Sequence, residues 1–411
     1  MNRELKIAIF HNLPNSGAIK ALHDNLKFLK SKGHYIDVYT FDRFGDTFTP
    51  LNDVTDNIFI YHLEKNSFRK FCINLINLII PKVNFSENSR FYFKYGDFEK
   101  IQKKIAEEID SKDYDIVFVE HENMFTMTPA FLKYIKKPTV YYCQEPCRDN
   151  EKILLKLNNN TQTLSNKIYS RINQKYIKLD IEYAQFAKNI LVNSYFSHET
   201  LLKIFGMNSK VCYLGIDTNI FHPLNIPRQD YILSVGVMMP HKGFDFIIGA
   251  VSEIDSDKRP KLVIVSYFVV ESWKNYVIKL AKEKNVELEI LEGISFKELV
   301  KIFNEAKLFV FGSYLEPFGL VSLESLACGT PVVAVKEGGV REIVQHGNNG
   351  FLSDRDEKVF AEYITKILDS QELWDKFSQN GIEYVNNFWT LKHSGQRLEN
   401  HFYDILDKER K

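Results

Sequence analysis

Glu316 and Glu324 enclose Pro317-Phe318-Gly319-Leu320-Val321-Ser322-Leu323, in a stretch that runs on to Cys328-Gly329-Thr330-Pro331 and then to Glu337-Gly338-Gly339-Val340-Arg341-Glu342. Gly319 frees the backbone at the mouth of a predicted helix, so amide donors and carboxylate acceptors converge where a strand has just ended. That combination suits a phosphorylated sugar. Exposed N–H groups and the positive helix end favour phosphate, and carboxylates accept bonds from sugar hydroxyls. Two glutamates at this spacing also fit a pair of solvated helix acids, because the dipole alone favours an acid in a first turn. The glycines and prolines in register with the pair weigh toward a site.

Lys242-Gly243 is a second candidate. An ammonium beside a flexible turn at a strand end can reach a diphosphate and offset charge as a leaving group departs; the bland reading is a surface lysine. Ser16-Gly17, between the first strand and the first helix, would let the backbone approach a phosphate closely, though Asn15 and Ser16 serve equally as helix caps. His121 follows the strand expected to end at Val119, and a single histidine there is either near a reacting centre or a structural hydrogen-bonder. Asp113-Tyr-Asp115, Asp255-Ser-Asp257 and Asp354-Arg-Asp356 each spell D-x-D. The first begins a strand, the second lies in a charged loop and the third sits where a helix should be capped, so no bound metal and no cofactor are expected.

The elements that must position these groups alternate along almost the whole chain. Apolar runs predict strands at Ile7–Phe10, Ile36–Thr40, Ile116–Val119, Thr139–Tyr142 and Ile190–Val192, with helices at Ile19–Lys32, Asp97–Ile109 and Leu164–Ala187. In the second half, strands at Tyr231–Val235, Leu262–Val265, Leu288–Leu291, Leu308–Phe311 and Val332–Val335 again alternate with helices. Repeated βα units imply parallel sheets covered on both faces, and such sheets bind ligands at the carboxyl ends of their strands. Gly215 to Asp230, stiffened by Pro223 and Pro227, reads as a linker, and Thr390 to Lys411 as a final helix.

At 411 residues the chain exceeds the size at which one core stops growing, so two domains are the default. Charge balances at 53 basic against 53 acidic residues, which gives no global field for nucleic acid or anionic lipid. No span approaches the ~20 apolar residues of a membrane helix. The five cysteines, Cys72, Cys143, Cys147, Cys212 and Cys328, are scattered and odd in number. They fit a reducing cytoplasm better than a disulfide framework. Arg69 to Pro81 joins a basic start to a short apolar stretch, read as a buried helix or as an interfacial contact suited to a lipid-linked acceptor.

The Glu316–Glu324 motif resembles the nucleotide-sugar site of the retaining GT-B glycosyltransferases of family GT4. Ser234-Val-Gly236-Val-Met-Met-Pro-His-Lys242-Gly243 resembles the family's glycine-plus-lysine turn, Asn193-Ser194 with Leu214 to Pro223 its interdomain segment, and Ile7 to Ala18 its opening unit. The resemblance implies an α/β fold of the GT-B type: two Rossmann-like domains facing each other across a cleft, with a C-terminal helix crossing back to the first. Residues 1–214, with 388–411 returning, would form the acceptor domain, and residues 215–387 the nucleotide-sugar domain. The implied activity is metal-independent, retaining transfer of a hexose-type sugar from a UDP- or GDP-linked donor to a glycan or lipid-linked acceptor, as in polysaccharide biosynthesis. The cytoplasm, with peripheral membrane contact through the first domain, is the expected setting.

By the same resemblance, Glu324 takes the ribose hydroxyls and Glu316 the donor sugar, while Lys242 meets the diphosphate. Ser16, Gly17, Gly236, Gly293, Ile294, Phe318, Gly319, Leu320 and Val321 complete the nucleotide-sugar contacts, the last four mainly through backbone. Two positions depart from the family. Val237 stands where an arginine usually follows the strand-end glycine, and Gln144 stands where a histidine usually lies near the anomeric centre. Glutamine exchanges hydrogen bonds but carries no proton at neutral pH, which leaves positioning as its role, with the leaving phosphate taking the acceptor proton. A nucleotide-sugar isomerase or a phosphorylase of the same fold, or a non-catalytic binding protein, are the other readings.

Overall fold

The computed structural model describes residues 3–14, 17–42, 50–64, 67, 93–122, 124–146 and 164–410. Ser16, Cys72, Cys147 and the apolar stretch 69–81 lie outside them. The chain divides into two compact units. One comprises Met1–Asn193, His198–Cys212 and Gly395–Lys411; the other comprises Ser194–Ser197 and Tyr213–Ser394.

The first unit contains β1 (Lys6–Asn12), α1 (Gly17–Ser31), β2 (Tyr35–Phe41), β3 (Asn57–Tyr61), α2 (Tyr95–Ser111), β4 (Ile116–Glu122), β5 (Thr139–Cys143), α3 (Leu164–Ala184), β6 (Ile190–Val192) and β7 (Lys210–Val211), while α4 (Tyr195–Phe205) begins in the other unit. Its seven described strands run parallel in the order β3-β2-β1-β4-β5-β6-β7. Ile7, Ala8, Ile9 and Phe10 are all fully buried, because a central parallel strand meets helices on both faces and cannot alternate with polar residues. Phe10 stacks on Phe131 with centroids 4.3 Å apart, which fixes one face of the core.

The second unit contains β8 (Gln229–Val235), α5 (Phe244–Ser252), β9 (Lys261–Ser266), α6 (Glu271–Glu283), β10 (Leu288–Glu292), α7 (Phe296–Glu305), β11 (Ala306–Phe311), α8 (Leu320–Ala327), β12 (Val332–Val335), β13 (Gly350–Ser353), α9 (Glu357–Leu368) and α10 (Gln371–Phe388). Six parallel strands take the order β10-β9-β8-β11-β12-β13. The order reverses between β8 and β11, and a crevice for ligands opens at such a switch point. Local signals place the helices: Ser295 and Glu298 form a capping box at α7, and Asp356 accepts from Lys358 and Val359 N–H at the start of α9. The stretch read as a linker is tied down at its start, where Ile216 accepts from Leu391 N–H at 2.7 Å and donates to Trp389 O at 2.9 Å.

The last helix, α11 (Leu391–Glu409), returns to the first unit from Gly395 onward. There Phe402 lies 5.6 Å from Phe118, Glu399 is 3.0 Å from His34, and Gly395 approaches Phe28 so closely that a Cβ would sit 2.2 Å from its ring. The chain has the α/β, GT-B architecture.

Candidate functional site

At the switch point of the second unit, Gly236 follows the end of β8 and the chain turns through Pro240–Lys242 to Gly243. Gly243 has φ +66°, and a Cβ there would lie 2.0 Å from the Gly312 carbonyl oxygen. The loops after β8 and β11 therefore touch backbone to backbone, which only glycine permits. The Lys242 stem lies over Gly236, 3.4 Å from where a Cβ would stand. Its ammonium donates to Glu316 Oε2 at 2.7 Å, and the Ser313 hydroxyl donates to the same oxygen at 2.8 Å. Burial pushes the Glu316 carboxyl upward, but Lys242, Ser313 and the nearby His241 outweigh it and hold the pKa at about 2. Both side chains stay about one-fifth exposed, 18% for Lys242 and 20% for Glu316, so a ligand can still reach them.

The backbone at Glu316 is strained and braced. Leu315 has φ +47°, a region that non-glycine residues rarely adopt. Gly339 N–H donates to Glu316 O at 2.7 Å, and a Cβ on Gly338 or Gly339 would fall 2.3 Å from Glu316 O or 2.2 Å from Pro317 O. That close approach explains the double glycine. Ser194 Oγ braces the same segment by donating to Pro317 O at 2.6 Å. Phe318 is buried beside Tyr213 and Trp389, so this motif residue packs the core. Gly319, at φ +101°, starts α8, leaving Leu320 and Val321 half-buried in its first turn and Glu324 buried one turn on. Gly293, at φ +65° with open space around it, and half-buried Ile294 follow β10.

Sequence reasoning missed Arg355. Its guanidinium grips Glu337 with two bonds of 2.8 Å, donates to Gly312 O at 2.8 Å and Ser313 O at 3.2 Å, and lies 3.5 Å from the Tyr314 ring centre. One planar fork thus joins the loop that carries Ser313 and Glu316 to the strand end that carries Glu337. The D-x-D spelling around it had drawn the reading toward aspartates.

In the first unit, the strand ends on either side of the β1–β4 reversal carry a buried polar group. Gln144 Nε2 donates to Glu120 Oε2 at 2.9 Å, and Asn193 Nδ2 donates to Gln144 O at 2.9 Å. Burial, the largest influence, raises the Glu120 pKa against the pull of His121 and Gln144. His121, expected beyond the strand, lies inside it, because β4 continues to Glu122. Its Nδ1 is 3.8 Å from Glu120 Oε2. Glu120 Oε1, His121 Nδ1 and Asn12 Nδ2 are buried without a hydrogen-bond partner among the described residues. Buried His11 is held down to about 4 by desolvation. Gly17 opens α1.

Among the described residues no group of three or more His, Cys, Asp or Glu is arranged to hold a metal. Asp113 and Asp115 bond Lys6 and Arg3, and Asp356 caps α9. No described helix is long and apolar enough to cross a membrane.

Residues 216–384 match the family model described as glycosyl transferases group 1. That segment is about two-fifths of the chain. An uncharacterized glycosyltransferase of Methanocaldococcus jannaschii is 29% identical over 226 residues, 55% of this chain and 60% of that relative, so the match spans about three-fifths of the relative's length. The sucrose-phosphate synthase of Thermosynechococcus elongatus superposes with TM-score 0.73 at 16% identity, covering 99% of this chain and 100% of that one. HepE of Anabaena, solved with UDP and glucose, superposes with TM-score 0.69 at 17% identity over 97% of this chain and 100% of its own. At such identities these two structures establish the shared fold.

Proposed function

We propose that this chain is a group 1 glycosyltransferase that transfers a sugar, with retention of configuration, from a UDP- or GDP-linked donor to a glycan or glycolipid acceptor, without a metal. The observation that carries the reading is the Lys242–Glu316 pair at the switch point, beside the N-terminus of α8. Amides at that terminus suit the diphosphate, and the ammonium offsets its charge as it leaves. Glu316 takes hydroxyls of the transferred sugar and Glu324 those of the ribose. The first unit takes the acceptor, with Gln144 and His121 as its polar strand-end contacts. The departing phosphate oxygen receives the acceptor proton, so no protein base is required at position 144. The capture of UDP and glucose by HepE supports a donor of this class.

Val237 and Gln144 favour a second reading, a binding protein without turnover, because neither side chain carries a charge where one would assist transfer. A thermal-shift panel of nucleotide sugars, followed by transfer with the matched donor and NMR of the product's anomeric centre, separates the two. A retained product that forms in EDTA is expected. An inverted product overturns retention, a rate restored only by manganese overturns metal independence, and donor binding without turnover across an acceptor panel selects the second reading.

A further inference from the structure

Two large aromatic side chains are about half exposed at a strand end of the second unit, Tyr267 at 55% and Phe268 at 54%. They follow β9, the sheet neighbour of β8. Val235 of β8 pairs with Val265 of β9, so Val237 and Tyr267 each come two residues after the paired ends. The pairing continues into both loops. Gly236 N–H donates to Val265 O at 3.0 Å, Met238 N–H to Phe268 O at 2.7 Å, and Val270 N–H to Met238 O at 3.2 Å. The Ser266 hydroxyl adds a bond of 2.9 Å to Phe268 O. The aromatics are therefore exposed on a braced backbone, the presentation that costs a binding side chain little entropy.

The same loop pair carries Lys242 over Gly236. Lys242, Glu316 and Glu324 all act electrostatically on the Tyr267 hydroxyl; loss of surrounding water is the largest influence on it, and the net shift is upward. The hydroxyl keeps its proton at neutral pH and is a donor. A diphosphate entering here meets Lys242, a cation that already donates to Glu316, and Val237, whose side chain donates nothing.

We propose that Tyr267 is a specificity-determining contact for the donor, its hydroxyl donating to the terminal phosphate of the nucleoside diphosphate and its ring lying along the ligand; the inference rests on the nucleotide-sugar reading above. Tyr267→Phe deletes only the donor and Tyr267→Ala the ring as well. Isothermal titration with UDP, GDP, ADP and dTDP, and with the monophosphate of whichever binds, provides the test.

Tyr267→Phe is expected to weaken the diphosphate about tenfold while monophosphate affinity and melting temperature stay as in wild type. Tyr267→Ala should weaken both nucleotides. Wild-type affinity for the diphosphate in Tyr267→Phe, or equal loss on mono- and diphosphate, overturns the assignment and leaves the donor reading standing. Failure of the wild type to bind any of the four diphosphates removes the donor reading, and this contact falls with it.

Discussion

Lys242 Nζ donates to Glu316 Oε2 at 2.7 Å across 74 residues of sequence. The cation proposed for the leaving diphosphate and the acid proposed for the sugar thus hold each other in place before a ligand arrives, with Ser313 as a third member. Preorganisation of this kind spares the reaction the cost of arranging charges.

Lys242→Ala and Glu316→Ala are each expected to lower turnover at least about a hundredfold, the scale for losing a transition-state electrostatic contact. Steady-state kinetics with the matched donor checks this. Unchanged rates in both variants remove the pair from the mechanism.

The pH dependence of the pair follows from its sign. The Glu316 pKa falls from 4.5 to about 2 on folding, so its contribution is complete above 4.5 and is lost as pH drops toward 2. Glu316→Gln should accordingly narrow its stability difference from wild type between pH 4.5 and 2, read from urea midpoints across that range.

Arg355→Ala should destabilise the protein by about 2–4 kcal/mol, because it strands Glu337 and two carbonyls that share one guanidinium. Arg355→Lys should recover only part of the loss, since an ammonium gives neither the fork nor the stack on Tyr314. Turnover should fall in parallel as Ser313 and Glu316 lose register. Chemical denaturation and kcat, measured on both variants, test the link.

Gly243→Ala and Gly293→Ala separate strain from crowding. Both positions have positive φ, +66° and +65°, but a Cβ at Gly243 meets Gly312 O at 2.0 Å while none lies within 4 Å at Gly293. Gly293→Ala should cost about 1–2 kcal/mol for its backbone alone. Gly243→Ala should cost about 1–3 kcal/mol more for overpacking. Equal melting temperatures would refute the close approach of the two loops.

Gln144→Leu should weaken transfer and destabilise by about 1–3 kcal/mol, because it strands the buried Glu120 carboxylate, whereas Gln144→His should keep or raise transfer. Folding raises the Glu120 pKa above 4.5, so stability is favoured below 4.5 and lost as pH rises through the folded value. Glu120→Gln should thus gain on wild type from pH 5 to 8 in thermal melts.

Much of this was legible because strand cores are continuous apolar runs; all ten predicted strands are present within a few residues. β3 escaped because Asn57–Tyr61 lies half-exposed, β7 because it has two residues, and β13 because Gly350 opens it like a turn. His121 was placed outside β4 because hydropathy ends at Val119, although buried Glu120, His121 and Glu122 continue the strand. Lys242 and Glu316 announced themselves through local glycine and proline spacing. Arg355 could not, since its partner Gly312 lies 43 residues away and nothing local marks the contact.

The return of α11 to the first unit has a consequence during synthesis. A ribosome adding about 5–20 residues per second completes every segment of the second unit before Phe402 and Glu399 emerge to meet Phe118 and His34. The half made first is the half finished last, and until then its sheet exposes the apolar patch that α11 will cover. A chain cut short before Gly395 would hold a whole second unit joined to an incomplete first one, a natural client for chaperones.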